Sequence, residues 1–263
     1  MGKIIAVANQ KGGVGKTTTS INLAAGLSYA DRKVLLIDID PQGNATHGLG
    51  VDLSGSKNHH TIYEVLVGDE NIRDNVVTLE LPPLDVLPAT TNLAGADVEL
   101  ASNEYELGRE QQLKIKLDEI KDDYDYIIID CPPSLNLLNS NALTAADTVL
   151  IPVQCEYFAL EGLTQLLATI RLVQKLWNPS LSIEGVLLTM FDVRTKLSVE
   201  VQQEVRKYFK EKVYKSYIPR NVRLSEAPSR EESIFEYDRK SEGARAYAQL
   251  VNEVLTQNEK GGR

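Results

Sequence analysis

The sequence predicts an α/β protein, a mostly parallel twisted sheet flanked by helices, and three observations carry that expectation. Short runs rich in Ile, Val and Leu recur along the 263 residues, as strands buried on both faces of a parallel sheet require. Amphipathic stretches at helical spacing lie between them, and this alternation from end to end argues one layered unit rather than two. The 43% hydrophobic content is spread evenly and suffices for one large core. We therefore expect a single domain over residues 1–257, followed by a flexible tail at 258–263.

Taken in order, Ile4 to Ala8 reads as a buried first strand, followed by a glycine-rich turn. A helix follows from Thr18 to Ala30, with Ile21, Leu23, Ala24 and Leu27 at helical spacing. Further strands are expected at Lys33 to Ile39, Leu84 to Leu87, Tyr126 to Ile129, Thr148 to Val153 and Ile183 to Thr189, with a short one at Tyr214 to Ile218. Helices are expected at Leu160 to Leu176, Ser198 to Phe209 and Glu242 to Leu255. Residues 52 to 60, DLSGSKNHH, read as an exposed loop, and His59 and His60, without a partner cluster, as solvated residues within it. No run approaches the ~20 apolar residues of a membrane span, and no signal peptide precedes the first strand, so a cytoplasmic protein is expected. Cys131 and Cys155 form no metal-ligand spacing and read as small apolar fillers in a reducing compartment.

The chemistry concentrates at the first turn, VANQKGGVGKTTTS, residues 7 to 20. A strand, a glycine turn and a helix in this order make Gly15-Lys16-Thr17 a phosphate cradle. Backbone N–H groups at the helix start bind phosphate oxygens, Lys16 reaches the β- and γ-phosphates, and the Thr17 hydroxyl takes Mg2+. The residues expected to touch nucleotide from within the same chain are Gly12, Gly13, Val14, Gly15, Lys16, Thr17 and Thr18. The usual pattern G-x-x-x-x-G-K-S/T is broken, because Gln10 stands where it wants glycine, while Lys11 and Gly12-Gly13 fall inside the loop. Two more strands end in acids. "LLIDIDPQGNAT" places Asp38 and Asp40 two apart on one side of the departing chain, and "YIIIDCPPS" ends in Asp130 in the form of a Walker B motif. Alone, each could start a turn; with the loop, three acids at carboxyl ends of parallel strands would surround Mg2+ and the γ-phosphate.

The loop KGGVGKT resembles the deviant Walker A motif of the ParA/MinD group of P-loop ATPases. "DIDPQGNAT", "IIIDCPPS" and "PVQCEYFALEGL" resemble the chromosome-partitioning ParA/Soj type, and the likeness runs from Gly2 to about Leu255. The resemblance implies that Lys11 crosses to the nucleotide of a second subunit, so that two ATP molecules are sandwiched in a homodimer. A cation at the loop's outer edge is more useful there, since Lys16 already serves the cradle from within. It further implies that Asp40 positions the attacking water, that Asp130 and Asp38 hold the metal through its water shell, and that Pro219 and Asn221, in "YIPRNVRLSEAPS", contact adenine. Lys11, Lys16 and Asp40 are then the catalytic set.

Partners follow from the charge distribution and the same resemblance. A net charge of −9 argues against a protein that coats DNA generically. Locally, however, residues 206 to 223 carry Arg206, Lys207, Lys210, Lys212, Lys215, Arg220 and Arg223 against the single acid Glu211. By composition this is a solvated face; by resemblance, Arg194 and Arg223 bind double-stranded DNA without sequence preference. ATP would close the dimer, two weak patches would act together, and hydrolysis, stimulated by a ParB-like centromere-binding protein, would release a nucleoid-associated molecule. Glu231 departs from the glycine common in relatives and sets an acid beside this surface. No N-terminal helix-turn-helix precedes the loop, so operator-specific repression is not expected. A membrane-cycling role would need a basic amphipathic C-terminus, which "YAQLVNEVLTQNEKGGR" does not supply. An iron–sulfur reductase would need cysteines placed to bridge a cluster, and Cys131 matches no such position. A ligase on the same scaffold would need a substrate pocket that the sequence does not reveal.

Overall fold

The structure, a computed structural model, describes residues 2–53, 61–68, 70–102, 108–134, 136–156 and 159–261. His59 and His60, with most of the loop expected at 52 to 60, lie outside the described residues. In chain order the regular elements are β1 (Lys3–Val7), α1 (Lys16–Ser28), β2 (Val34–Asp38), α2 (Asn44–Gly48), α3 (Ile62–Val67), β3 (Val77–Thr78) and β4 (Asp85–Leu87). There follow α4 (Ala96–Ser102), α5 (Gln112–Asp118), β5 (Tyr126–Asp130), α6 (Leu137–Ala145), β6 (Thr148–Gln154), α7 (Ala159–Leu176) and β7 (Ser182–Phe191). The chain closes with α8 (Lys196–Phe209), β8 (Val213–Pro219), α9 (Val222–Glu226), α10 (Ile234–Tyr237) and α11 (Glu242–Gly261).

The strands form one eight-stranded sheet in the order β3-β4-β2-β5-β1-β6-β7-β8. Every pairing is parallel except β3 with β4. The expected strands are all present, and β3 is an addition that two residues are too short to signal by periodicity. Alternation along each strand splits the core in two. Ile4, Ala6, Ile37, Ile127 and Ile129 face one layer of helices, which includes α5, α6, α7 and α8. Ile5, Val7, Leu36 and Ile128 face the other, built from α1 and α11. Burial on both faces explains why these strands read as unbroken apolar runs, and each fully buried Ile or Leu contributes roughly 1.5–3 kcal/mol.

Several helix boundaries differ from expectation, α8 for example beginning at Lys196 rather than Ser198. α1 begins at Lys16 rather than Thr18, because Gly15 occupies the capping position. α11 runs to Gly261, past the boundary set at Gln257, and Asn258 Nδ2 there donates to Glu184 Oε1 and Val254 O at 3.1 and 3.0 Å.

Candidate functional site

The centre of the sheet places the loop and the acids together. β1 lies between β5 and β6 and β5 between β1 and β2, so Val7 and Asp38 both register with Asp130. The chain leaving β1 turns through Gly13 and Gly15 at φ of 73° and 86°, left-handed values that cost a residue with a β-carbon roughly 1–2 kcal/mol. The resulting N-terminus of α1 has neither a side-chain cap nor an acid in its first turn. Its free N–H groups and positive dipole end are therefore available to an anion. The loop is pinned on both sides. Asn9 Nδ2 donates to Pro152 O at 2.7 Å while its Oδ1 accepts the Lys11 N–H at 3.1 Å, and Thr189 Oγ1 donates to Val14 O at 2.8 Å.

The two lysines have different surroundings. Lys16 is 7% exposed, and its Nζ donates to Lys11 O at 3.2 Å. Burial lowers its pKa, and the carboxylates of Asp130 and Asp40 oppose that shift. The Lys11 side chain instead leaves the loop and pairs with Glu156 Oε2 at 3.2 Å, in a contact where the two side chains are 32% and 47% exposed.

Asp130 is fully buried. Its Oδ1 accepts the Ser20 hydroxyl at 2.8 Å, and its Oδ2 has no hydrogen-bond partner among the described residues. Burial, reinforced by neighbouring Asp38, pushes its carboxyl up to about 7, against the Ser20 and Thr17 hydroxyls and Lys16. Burial likewise raises Asp38 to about 6, although Thr46 and the Asp40 N–H hold its charged form. Asp40 is nearly buried, and its Oδ1 accepts the Gln42 N–H at 2.9 Å. An orphaned carboxylate oxygen next to a second buried carboxylate and the Thr17 hydroxyl fits a hard divalent cation such as Mg2+. Among the described residues no group of three or more His, Cys, Asp or Glu could hold a metal unaided. That incomplete shell suits an ion that arrives with phosphate oxygens. Both cysteines are buried and outside any disulfide, with thiols raised by burial, to about 12 for Cys155.

Pro219 and Asn221 line a cavity of about 290 Å³ together with Gly15, Thr18, Thr189 and Tyr247. It opens beside the phosphate cradle. Asn221 also caps α9, its Oδ1 accepting the Arg223 N–H at 2.8 Å. Arg194 and Arg223 follow the carboxyl ends of β7 and β8, adjacent strands that register at Phe191 and Pro219. Both arginines are exposed, and both are already paired. Arg194 donates twice to Asp192, at 2.9 and 2.7 Å, and holds that carboxyl down at about 2. Arg223 meets Glu226 at 3.0 Å and Asp238 at 3.5 Å.

A buried parallel sheet with a glycine loop at a bare helix N-terminus, a buried lysine and acids at the neighbouring strand ends defines the P-loop class of nucleotide-binding proteins. Residues 2–183 match the AAA domain family. Over 97% of its length the chain is 59% identical to the sporulation initiation inhibitor protein Soj of Bacillus subtilis, covering 98% of that protein. It is 53% identical to the chromosome partitioning protein ParA of Myxococcus xanthus, with 97% and 88% covered. The chain belongs to the ParA/Soj family of chromosome-partitioning ATPases. Among solved structures it resembles a cobyrinic acid a,c-diamide synthase from Mycobacterium smegmatis with bound ATP analogue and magnesium. There the TM-score is 0.85 at 40% identity, with all of this chain and 98% of that one covered. It also resembles the cell division ATPase MinD of Pyrococcus furiosus, with a TM-score of 0.78 at 27% identity over 98% and 100%.

Several residues around the site were not singled out in the sequence. Asn9, Ser20, Thr46, Glu156 and Thr189 all act through long-range hydrogen bonds or ion pairs, and none has a spacing that announces its partner. Thr46 ends the quoted run DIDPQGNAT and Glu156 lies in PVQCEYFALEGL, so the motifs contained them without disclosing their roles.

Proposed function

We propose that the protein is an Mg2+-dependent ATPase that pairs with a second copy of itself when ATP is bound. The pair holds double-stranded DNA without sequence preference and lets go on hydrolysis, which a ParB-like partner stimulates. The observation that carries this reading is the division of labour between the lysines. Lys16 is buried inside its own cradle, whereas Lys11 is directed out of it to a half-exposed pair with Glu156, where a second subunit can exchange for the acid.

Lys16 and the N–H groups of Gly12 to Thr18 would bind the triphosphate, and Pro219 and Asn221 the adenine. Thr17 and Asp130 would hold Mg2+, with Asp38 next to them in the sheet, and the ion would neutralise charge developing on the phosphates. Asp40 would orient the attacking water, and the partner's lysine would add charge to the transition state from the far side. Arg194 and Arg223 would then exchange their carboxylate partners for DNA phosphates. Such an exchange gains little at one patch and more at two held together, since the second contact forms at high effective concentration.

The test is co-sedimentation with DNA in the presence of ATP, ADP or no nucleotide, at two salt concentrations. Retention that needs ATP and weakens with salt is expected; equal retention without nucleotide would remove the coupling. The likeness to the M. smegmatis synthase favours a small-molecule ligase as the second reading. That reading would be supported by ATP turnover that needs an added carboxylic acid and amine donor, with no DNA retention in any nucleotide state.

A further inference from the structure

Asp38 and Asp130 end adjacent strands side by side, yet they use their oxygens differently. Asp130 keeps one oxygen without a partner among the described residues. Asp38 spends both. Its Oδ2 accepts the Thr46 N–H and the Thr46 hydroxyl, each at 2.8 Å, and its Oδ1 accepts the Asp40 N–H at 3.1 Å. All three donors come from the two ends of one short loop, Asp40 to Thr46. Thr46, itself 1% exposed, is anchored in turn, because its Oγ1 accepts the Ala89 N–H at 3.0 Å just beyond β4. The sheet end, the loop's start and the first turn of α2 thus meet on one carboxylate.

We propose that Thr46 is a positioning residue for Asp40: by closing the Asp40–Thr46 loop onto Asp38 and Ala89 it fixes where the Asp40 carboxylate stands, and Asp38 serves this loop rather than the metal. The inference rests on the reading of Asp40 as the group that orients water. Asp40 has little else to hold it. Its backbone N–H is bound to Asp38, and its carbonyl and Oδ1 are bound within the same loop, to the Gly43 and Gln42 N–H groups. Removing the Thr46 hydroxyl takes one donor from Asp38 and the acceptor from Ala89, so the loop loses its tie to β4 while the phosphate cradle is untouched. Phosphoryl transfer depends on alignment, and a displacement of about 1 Å can cost about 100-fold in rate.

The experiment uses the full chain with DNA and compares Thr46→Val, Thr46→Ser, Asp38→Asn and Asp40→Ala. Two quantities are measured: steady-state ATP hydrolysis, and the Mg2+ concentration that half-saturates binding of a fluorescent ADP analogue. Thr46→Val should lower kcat by about 10- to 100-fold with KM for ATP and half-saturating Mg2+ within about twofold of the parent. Thr46→Ser, which keeps the hydroxyl, should restore most of the rate. If Thr46→Val does not fold, Asp38→Asn gives the same reading. Its amide keeps an acceptor for one end of the loop and sets N–H against N–H at the other, so kcat falls with Mg2+ dependence unchanged. A rise in half-saturating Mg2+ in either variant would make Asp38 a metal-site residue and overturn the proposal, as would an unchanged kcat in both. Normal turnover by Asp40→Ala would instead remove the underlying reading of Asp40, whatever Thr46 does.

Discussion

Replacing Lys11 by alanine should separate folding from pairing. Among the described residues the side chain makes one ion pair, to Glu156 at 3.2 Å, in a contact where both groups are substantially exposed. Pairs of that kind are worth about 0.2–1 kcal/mol, which for a chain of this size shifts the melting temperature by at most about 2–4 °C. The other contacts at this position use the backbone: Lys11 N–H to Asn9, and Lys11 O from Lys16 Nζ. Alanine keeps both, so the loop should hold its shape and monomeric nucleotide binding should be largely preserved. Pairing is different. A lysine that reaches a phosphate in a second subunit makes a charge-assisted hydrogen bond worth roughly 1.5–3 kcal/mol, and a twofold dimer contains it twice. Losing about 3–6 kcal/mol weakens the dimer by roughly 10²- to 10⁴-fold. Light scattering of the variant saturated with a non-hydrolysable triphosphate should report monomer at concentrations where the parent is dimeric. An undiminished dimer would refute the trans role, and a loss of monomeric nucleotide binding would show that Lys11 serves its own cradle.

Neutralising Arg194 and Arg223 should weaken DNA retention and reduce its salt slope by about one for each phosphate that is no longer neutralised; because each arginine already faces an acid, removing Asp192 or Glu226 should strengthen retention, and unchanged binding in all variants would move the surface elsewhere. Glu231 has φ of 60°, so Glu231→Gly should relieve up to about 1 kcal/mol of backbone strain and raise the melting temperature by a few degrees. A lower melting temperature would contradict the strain argument. Asp38 and Asp130 have carboxyls raised to about 6 and about 7, so the unfolded chain releases these protons first and metal-free stability should decline as pH rises from about 4 through 7. Mg2+ with ADP should flatten that decline, and metal-free stability that climbs over the same range would show that the acids are not strained by burial.

The architecture was legible because strands buried on both faces must be apolar at every position, and the runs from Ile4, Lys33, Tyr126 and Thr148 stand out for that reason. The cradle was legible because glycine takes the left-handed backbone at positions 13 and 15 without steric cost, which leaves a recognisable pattern beside Lys16 and Thr17. The acids Asp38, Asp40 and Asp130 were legible together with the loop, since carboxylates at the carboxyl ends of parallel strands stand where such sheets bind ligands. Tertiary structure alone decided the rest. That Asp38 is satisfied by Thr46 while Asp130 keeps an oxygen free, that Lys11 leans on Glu156, that Thr189 holds Val14, and that Arg194 and Arg223 stand at neighbouring strand ends already paired with acids are facts of strand order and side-chain direction. Sequence determines which groups a local backbone can present; which distant group answers them depends on how the sheet is wound, and no local spacing encodes that.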